Sequence, residues 1–441
     1  MKLDVAETGI DWLDFVPSQW KICRTKTLFG FESGWTPDTK NAAYYQGENP
    51  WANISDLKTP LLLATAKSIS DSAIADTGMK PVPEGRLLFS FKLSIGLVAL
   101  TGKPMFTNEA IAAFDSRMKC PKYWLFAAPV FISKVAKENI YGAQLLNREL
   151  IRNAVVVSPP LSEQRRIAAW LDLQTTRIDK RRELLAKKRE LLRDLRSNLV
   201  GETLASGLHC QETASTGLVD LPALPVGWQA SHTKRLLRFI TSGSRGWAEY
   251  YAEQGDIFLR IGNLTRETID LDVSDLKYVA LPAKAAEGKR TRLRPGDMLV
   301  SITADLGSIA VVPVLDKPAY VSQHIALCRP KEGVHPRWLG YAMVSPQAKR
   351  QLMNSGYGGT KIQLSLDDVR NVWQAVPPLD EQIEIADFLD QRLSKIARQI
   401  TLIDQLDDLL KQQRKAIIHE AVTGKIDLSA ASLEKTETDT A

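Results

Sequence analysis

"PPLSEQRRIAAWLD" (Pro159–Asp172) reads as the start of a helix, and the chain writes nearly the same thing again as "PPLDEQIEIADFLD" (Pro377–Asp390). In each copy Pro-Pro stiffens the entry, Ser162 or Asp380 is a good N-cap, and Glu163 or Glu381 sits favourably near the positive end of the helix dipole. Neither is a full capping box, because Arg165 and Ile383 stand where Glu is wanted. Downstream, Leu171, Ile178, Leu185, Leu192 and Leu199 recur every seven residues, and Leu389, Ile396, Ile403, Leu410 and Ile417 recur in the same register. Two matching seams predict that the helices pair as a coiled coil. A seam alone allows either direction; the fold expected here takes the antiparallel one.

The repeat extends through the chain. "VPSQWKICRTKTLF" (Val16–Phe29) answers "LPVGWQASHTKRLL" (Leu224–Leu237), "PEGRLLFSFKLSIG" answers "RPGDMLVSITADLG", and "TNEAIAAF" (Thr107–Phe114) answers "VSQHIALC". Repetition at this scale defines the architecture before any finer reading. The order is globular unit, long helix, globular unit, long helix. Within each unit, short runs such as "GRLLFSF", "DMLVSIT" and "SIAVVPV", bounded by Gly and Pro turns, predict strands. "PKYWLFAAPVFISKVAK" (Pro121–Lys137) and "HPRWLGYAMVSPQAKRQLMNS" (His335–Ser355) predict helices packed on them. The expected fold class is therefore α+β: two mixed, mostly β domains separated by two long helices, with an internal pseudo-two-fold repeat. The predicted boundaries are 1–157, 158–208, 209–375 and 376–428, and a tail, 429–441, without apolar periodicity is expected to be disordered.

Charge favours pairing of the two helices with each other. Ser162 to Gly207 holds eleven Lys/Arg against seven Asp/Glu, whereas Asp380 to Gly424 holds six against nine. Opposite net charges disfavour either self-pair. Over the whole chain of 441 residues, 57 Lys+Arg against 51 Asp+Glu give a net charge of +6, which permits a nucleic-acid partner without requiring one. The four cysteines are far apart and form no disulfide framework or zinc spacing. The acidic N-terminus is unlike a signal peptide, and no run of 18 apolar residues occurs, so a cytoplasmic protein is expected.

Catalytic motifs are missing. "GLVALTGKP" has the wrong spacing for a phosphate-binding loop, and Pro104 replaces its hydroxyl residue. Neither "SPPL" nor "VPPL" carries the polar and aromatic residues of an adenine-methyltransferase tetrapeptide. Glu287-Gly288-Lys289 lacks the acidic partner of a nuclease site, and the five histidines are scattered, so neither a catalytic site nor a metal site is predicted. His419 is read as a polar-face residue of the second helix.

The duplicated "P-P-L-x-E-Q-x-x-I-A-x-x-L-D" element, with each helix ending near "LASG" or "VTG", strongly resembles the specificity subunit of type I restriction-modification systems. The resemblance covers nearly the whole chain and includes "GGTKIQLSLDDVRNVWQAVPPL" before the second helix. It departs at Gly142-Ala143, where the second copy has Thr360-Lys361. It implies a non-catalytic DNA-reading subunit in which each domain reads one half of a bipartite, asymmetric double-stranded site. It also implies methyltransferase subunits carrying S-adenosylmethionine and docked on the helices, restriction subunits using ATP and Mg, and no cofactor on this chain. A coiled-coil scaffold with two protein-binding domains and a self-sufficient DNA-modifying enzyme are the competing readings; the missing motifs weigh against the second.

The same architecture follows from dimensions. A helix of about 40 residues is roughly 60 Å long, against about 34–36 Å for a turn of B-DNA, so such a rod can hold two reading heads on one duplex. A reading head needs Lys or Arg for phosphates and Asn, Gln, Arg or Ser for base edges. The first-domain candidates are Trp35, Thr36, Lys40, Tyr44, Tyr45, Asn53, Ser55, Lys58, Lys92 and Ser94. Those of the second are Ser244, Arg245, Trp247, Tyr250, Arg260, Asn263, Arg266, Lys289, Arg290, Arg292, Thr303, Gln323 and Lys361. Lys361, a charge among Gly and Thr, suits a phosphate best.

Overall fold

The computed structural model describes residues 5–138, 144–209, 212–281, 286–303, 306–355 and 363–428. The two long helices run from Leu161–Ser206 and Leu379–Val422. Each begins two residues' distance earlier than a Ser162 or Asp380 N-cap would require, which corrects that expectation. The amides of Glu163 and Gln164 both reach the Pro160 carbonyl at 2.9 Å, so Pro160 is where the first turn closes. The motif glutamine performs the anchoring instead. Gln164 Nε2 donates to the Pro159 carbonyl at 2.8 Å, and Gln382 Nε2 donates to the Pro377 carbonyl at 2.9 Å. Both glutamines are buried, so each spends its amide on a backbone acceptor that would otherwise be stranded. Glycines end both helices: Gly207 and Gly424 adopt left-handed φ values of 70° and 75°, the usual helix stop.

Two compact units form, and they are not the consecutive segments of the sequence. Residues 1–183 with 407–441 make the first, and 184–406 the second. Each unit thus combines one mostly β domain with one half of each long helix.

In the first unit a five-stranded sheet has the order Phe31–Ser33, Ile111–Phe114, Leu87–Ser90, Val98–Thr101, Leu61–Leu62. Helix Pro121–Ile132 packs on this sheet through Tyr123, Trp124, Phe126 and Phe131. The helix is shorter than the sequence suggested, passing into a 3-10 turn at Ser133–Val135. The helix halves enter the same core through Ile167, Ala168, Leu171, Ala421 and Val422. They run antiparallel, because Asp179 pairs with Arg414 at 3.2 Å while Arg182, further along the first helix, pairs with Asp407 at 2.7 Å, further back on the second.

The second unit repeats the plan with a four-stranded sheet, in order Leu237–Ser242, Ile325–Pro330, Met298–Ser301, Ile309–Val311. Two helices, Pro336–Val344 and Pro346–Ser355, replace the single one expected over 335–355. Pro346 has no amide to continue the first, and a residue before proline is driven out of the helical region; Ser345 has ψ 150°. Val200, Leu204, Ile385, Ala386, Leu389, Leu393, Ile396 and Ile400 bring the helix halves into this core. Arg189 meets Asp404 at 2.7 Å.

All ten seam residues are buried or half-buried, with Leu171, Ile178, Leu389, Ile396, Ile403 and Leu410 fully so. His419 is not on a polar face. It is half-buried against Trp12, with ring centroids 6.0 Å apart, and with Lys58, Lys134, Arg414 and Lys415 it lines a cavity of about 870 Å³ in the first unit. Burial, then the nearby Lys425 and Lys134 charges, push its pKa below the usual imidazole value.

Candidate nucleic-acid interface

Strand pairing gathers the candidate loops of each unit at one end of its main sheet. In the first unit Ile111 opposes Ser90 and Ala112 opposes Ser33. Phe89 opposes Val98, and Leu61 lies beside Leu100. The segments that leave these strand ends are 34–40, 91–97, 107–110 and 57–60, so Trp35, Thr36, Lys40, Lys58, Lys92 and Ser94 share one rim. In the second unit Ser301 opposes Ile325 and Ser242 opposes Ala326. That brings Arg245, Thr303 and Gln323 to the corresponding rim, with Arg260 beside it, since the Ser322 amide donates to the Leu259 carbonyl at 3.0 Å.

Two local devices recur in both rims. The first is a glycine under a crossing backbone: a Cβ on Gly34 would overlap the Thr107 carbonyl, and one on Gly243 would overlap the carbonyls of Val321 and Ser322. Only glycine allows the close approach. The following amides close the contact, Trp35 to the Thr107 carbonyl and Ser244 to the Val321 carbonyl, each at 3.0 Å. The second is a serine clamp. Ser90 and Ser301 are fully buried at the ends of matching strands. The Gly96 amide donates to the Ser90 carbonyl at 2.9 Å, and the Gly307 amide to the Ser301 carbonyl at 3.0 Å. Ser90 Oγ donates to the Ser94 carbonyl and accepts from the Leu97 amide; Ser301 Oγ donates to the Thr303 carbonyl at 3.0 Å. Both loops are therefore fixed at the root, whatever their tips carry.

The individual candidates divide by how much surface they retain. Trp35, Lys40, Ser55, Lys58, Lys92, Ser94, Arg245, Arg290, Arg292 and Gln323 are exposed. Thr36 donates to Glu109, and Thr303 is held by His324, whose Nδ1 lies 3.0 Å away, while Gln323 Nε2 lies 3.2 Å from His324 Nε2. His324 completes this trio, and sequence reasoning passed it over because a lone histidine carries no spacing signal. Arg260 pairs with Asp275 at 2.9 Å. Asn53 is occupied as the cap of a 3-10 turn, accepting from the Ser55 amide at 2.9 Å.

Others are corrected by burial. Trp247 packs against Phe258 and Tyr320, with Tyr250 on its edge. Asn263 is buried and spends its amide on the carbonyls of Asp272 and Asp275, at 2.8 and 3.2 Å. Ser244 is buried against Thr291 Oγ1 at 2.9 Å. Tyr44 donates to Asp76 and Tyr45 to the Pro37 carbonyl, both half-buried on a small apolar cluster. Ser244, Trp247 and Asn263 are thereby spent on building their loops, while Tyr44 and Tyr45 keep part of their surface. Arg266 lies away from the rim: its carbonyl accepts from Arg196 of the long helix at 2.8 Å. Arg292 also stands apart, its carbonyl accepting from Arg329 at 3.1 Å, beside the Arg329–Asp297 pair. Lys361, Gly142, Ala143 and the tail 429–441 lie outside the described residues, and the Lys289 side chain does too.

Among the described residues no cluster of His, Cys, Asp or Glu could hold a metal ion, and no helix is long and apolar enough to cross a membrane. The rims carry donors and positive charges on fixed loops, a set suited to polyanion contact.

The family model of the type I restriction modification DNA specificity domain matches residues 17–189 and 280–412. The chain belongs to that family. Among curated relatives, the type I restriction enzyme MjaIX specificity subunit of Methanocaldococcus jannaschii is 20% identical, over 90% of this chain and 92% of that protein. The EcoBI specificity subunit of Escherichia coli is 21% identical, over 70% of this chain and 68% of its own. A chain from a solved structure concerned with complex assembly and conformational transition of the type I R-M system has the same fold. It has a TM-score of 0.70 at 19% identity, covering 93% of this chain and 99% of that one. This type I specificity subunit is thus a DNA-binding, non-catalytic component of a restriction-modification system.

Proposed function

We propose that each unit of this specificity subunit reads one half of a bipartite, asymmetric DNA site, and that the two long helices set the spacing between the halves. The observation that carries the reading is the duplicated rim: the same glycine crossing and the same backbone closure of a loop on a buried serine, with different residues at the loop tips. Equal scaffolds with unequal tips suit two half-sites of different sequence. Exposed Lys and Arg engage phosphates, and Lys361 belongs with them.

The helices also dock methyltransferase subunits. In the second unit Leu184, Leu191 and Leu195 of the first helix and Leu402 and Leu406 of the second are exposed, outside the buried seam. Leucines at such spacing on a solvated helix are the face that another helix covers. The methyltransferase subunits supply S-adenosylmethionine chemistry and the restriction subunits ATP- and Mg-dependent chemistry in the cytoplasm, with no cofactor on this chain.

The test is sequencing of methylated adenines in cells with and without this gene; loss of one bipartite motif is expected, and an unchanged methylome refutes the reading. The ruler is tested by four-residue insertions after Leu185 and Ile403. Each adds roughly 6 Å, about two base pairs, so the spacer should lengthen while both half-sites stay the same. An unaltered spacer overturns that part.

A further inference from the structure

Leu93 is the feature the fold does not explain. It is 94% exposed and has a φ of 59°, the one non-glycine residue with positive φ among the described residues. A leucine in the left-handed region crowds its Cβ against the following carbonyl, and its isobutyl group meets water instead of the core. Both costs fall on one side chain, at the tip of a loop that is otherwise tied down. Phe91 is buried, with its amide donating to the Ala110 carbonyl at 3.0 Å. Ser90 holds the far arm through Ser94 and Leu97. The clamp therefore presents Leu93 at a fixed position instead of letting it fold back.

The surroundings identify what it meets. Lys92 and Ser94 flank it, both exposed, and the loop belongs to the same rim as Trp35 and Lys58. Positive and hydroxyl groups around a projecting apolar tip match a DNA groove, where phosphates line the edges and bases form the floor. An apolar side chain finds partners there in a thymine methyl group or between base steps that it parts. The repeat adds a comparison: the second unit closes its loop on Ser301 with the same backbone bond, from the Gly307 amide, but Ala304 stands at the position of Leu93 in the sequence.

We propose that Leu93 is an apolar base contact of the first unit, a specificity-determining residue for the half-site that this unit reads. The proposal rests on the half-site reading above. The test uses the full chain with its methyltransferase subunits and compares wild type with Leu93→Gly, Leu93→Ala and Leu93→Met by methylated-motif sequencing. Gly suits the left-handed backbone, so a loss in Leu93→Gly is not a folding defect. Gly and Ala should cost about tenfold in discrimination at one or two positions of one half-site, roughly the value of one modest base contact, with the other half-site unchanged; Met should restore most of it. Two DNA arms separate the modes of contact. Sensitivity to thymine-to-uracil replacement indicates the methyl group, and brightening of 2-aminopurine at the site indicates parting of a step; each should vanish in Leu93→Gly.

Identical motifs and extents of methylation in all variants overturn the proposal, as does loss of methyltransferase co-purification in Leu93→Gly without DNA. Exchange of the whole first domain for that of a relative distinguishes the two levels. If the exchange changes one half-site while Leu93 variants do not, Leu93 alone is refuted. If the exchange changes neither, the half-site reading fails as well.

Discussion

Replacement of Asp390 by alanine should destabilise the second unit, while the same change at its repeat counterpart, Asp172, should do almost nothing. Asp390 lies on the second long helix and receives Arg337 bidentately, Nε to Oδ2 and Nη2 to Oδ1, both at 2.6 Å. The Tyr341 hydroxyl also donates to it. Arg337 and Tyr341 sit on helix Pro336–Val344, so one carboxylate fastens that helix to the long one. At the equivalent positions of the first copy stand Lys122 and Phe126, and Asp172 is exposed without an ion pair among the described residues.

Charge-assisted bonds of this kind contribute roughly 1.5–3 kcal/mol each when well shielded. The Asp390 and Arg337 side chains are each 30% exposed, so solvent screening reduces the sum, and Arg337 keeps Asp270 at 2.7 Å. The Tyr341 hydroxyl, which is buried, loses its acceptor outright. About 2–3 kcal/mol follows for Asp390→Ala, and at most about 0.5 kcal/mol for Asp172→Ala. Hydrogen exchange read by mass spectrometry should show amides in 336–344 and 385–396 exchanging about 30- to 150-fold faster in Asp390→Ala. Equal effects of the two substitutions would refute the reasoning, because the Arg337 and Tyr341 contacts are what Asp390 has and Asp172 lacks.

Gly34→Ala and Gly243→Ala should each cost at least about 2 kcal/mol in denaturant unfolding, since the added methyl meets backbone that cannot turn away; Gly78→Ala, with open space around it, loses only the left-handed backbone preference. Asp407 has its pKa held down to about 2, first by the Arg182 hydrogen bond and then by Lys411. With a folded pKa below the unfolded value, its stabilisation is complete above about pH 4 and is lost as the pH falls through 2; Asp407→Asn should flatten that part of the acid-denaturation curve, and an unchanged curve would refute the coupling. The Cys328 thiol is fully buried, which raises its pKa, so iodoacetamide at pH 8 should leave it intact until the second unit unfolds, while half-buried Cys23 reacts in the folded chain; peptide mapping of the alkylated sites checks this.

The division between sequence and structure follows from the range of the interactions involved. Heptad spacing, the Pro-Pro entry and the terminal glycines are local signals, and each is legible because a helix repeats its own geometry along the chain. The duplication was equally plain, and with it the two domains and the family resemblance. Which way the seams run and which pieces form a compact unit were decided by contacts between residues more than 200 positions apart, such as Arg182 with Asp407 and Arg189 with Asp404. Residue type alone suggested Trp247 and Asn263 as DNA contacts, yet aromatic packing and two carbonyl acceptors claim them, because burial is a property of neighbours that arrive from distant sequence. Leu93 gave no signal at all in the sequence, where a leucine suggests core. Only the clamped loop, with its left-handed backbone and nothing to cover the side chain, marks it as a surface residue.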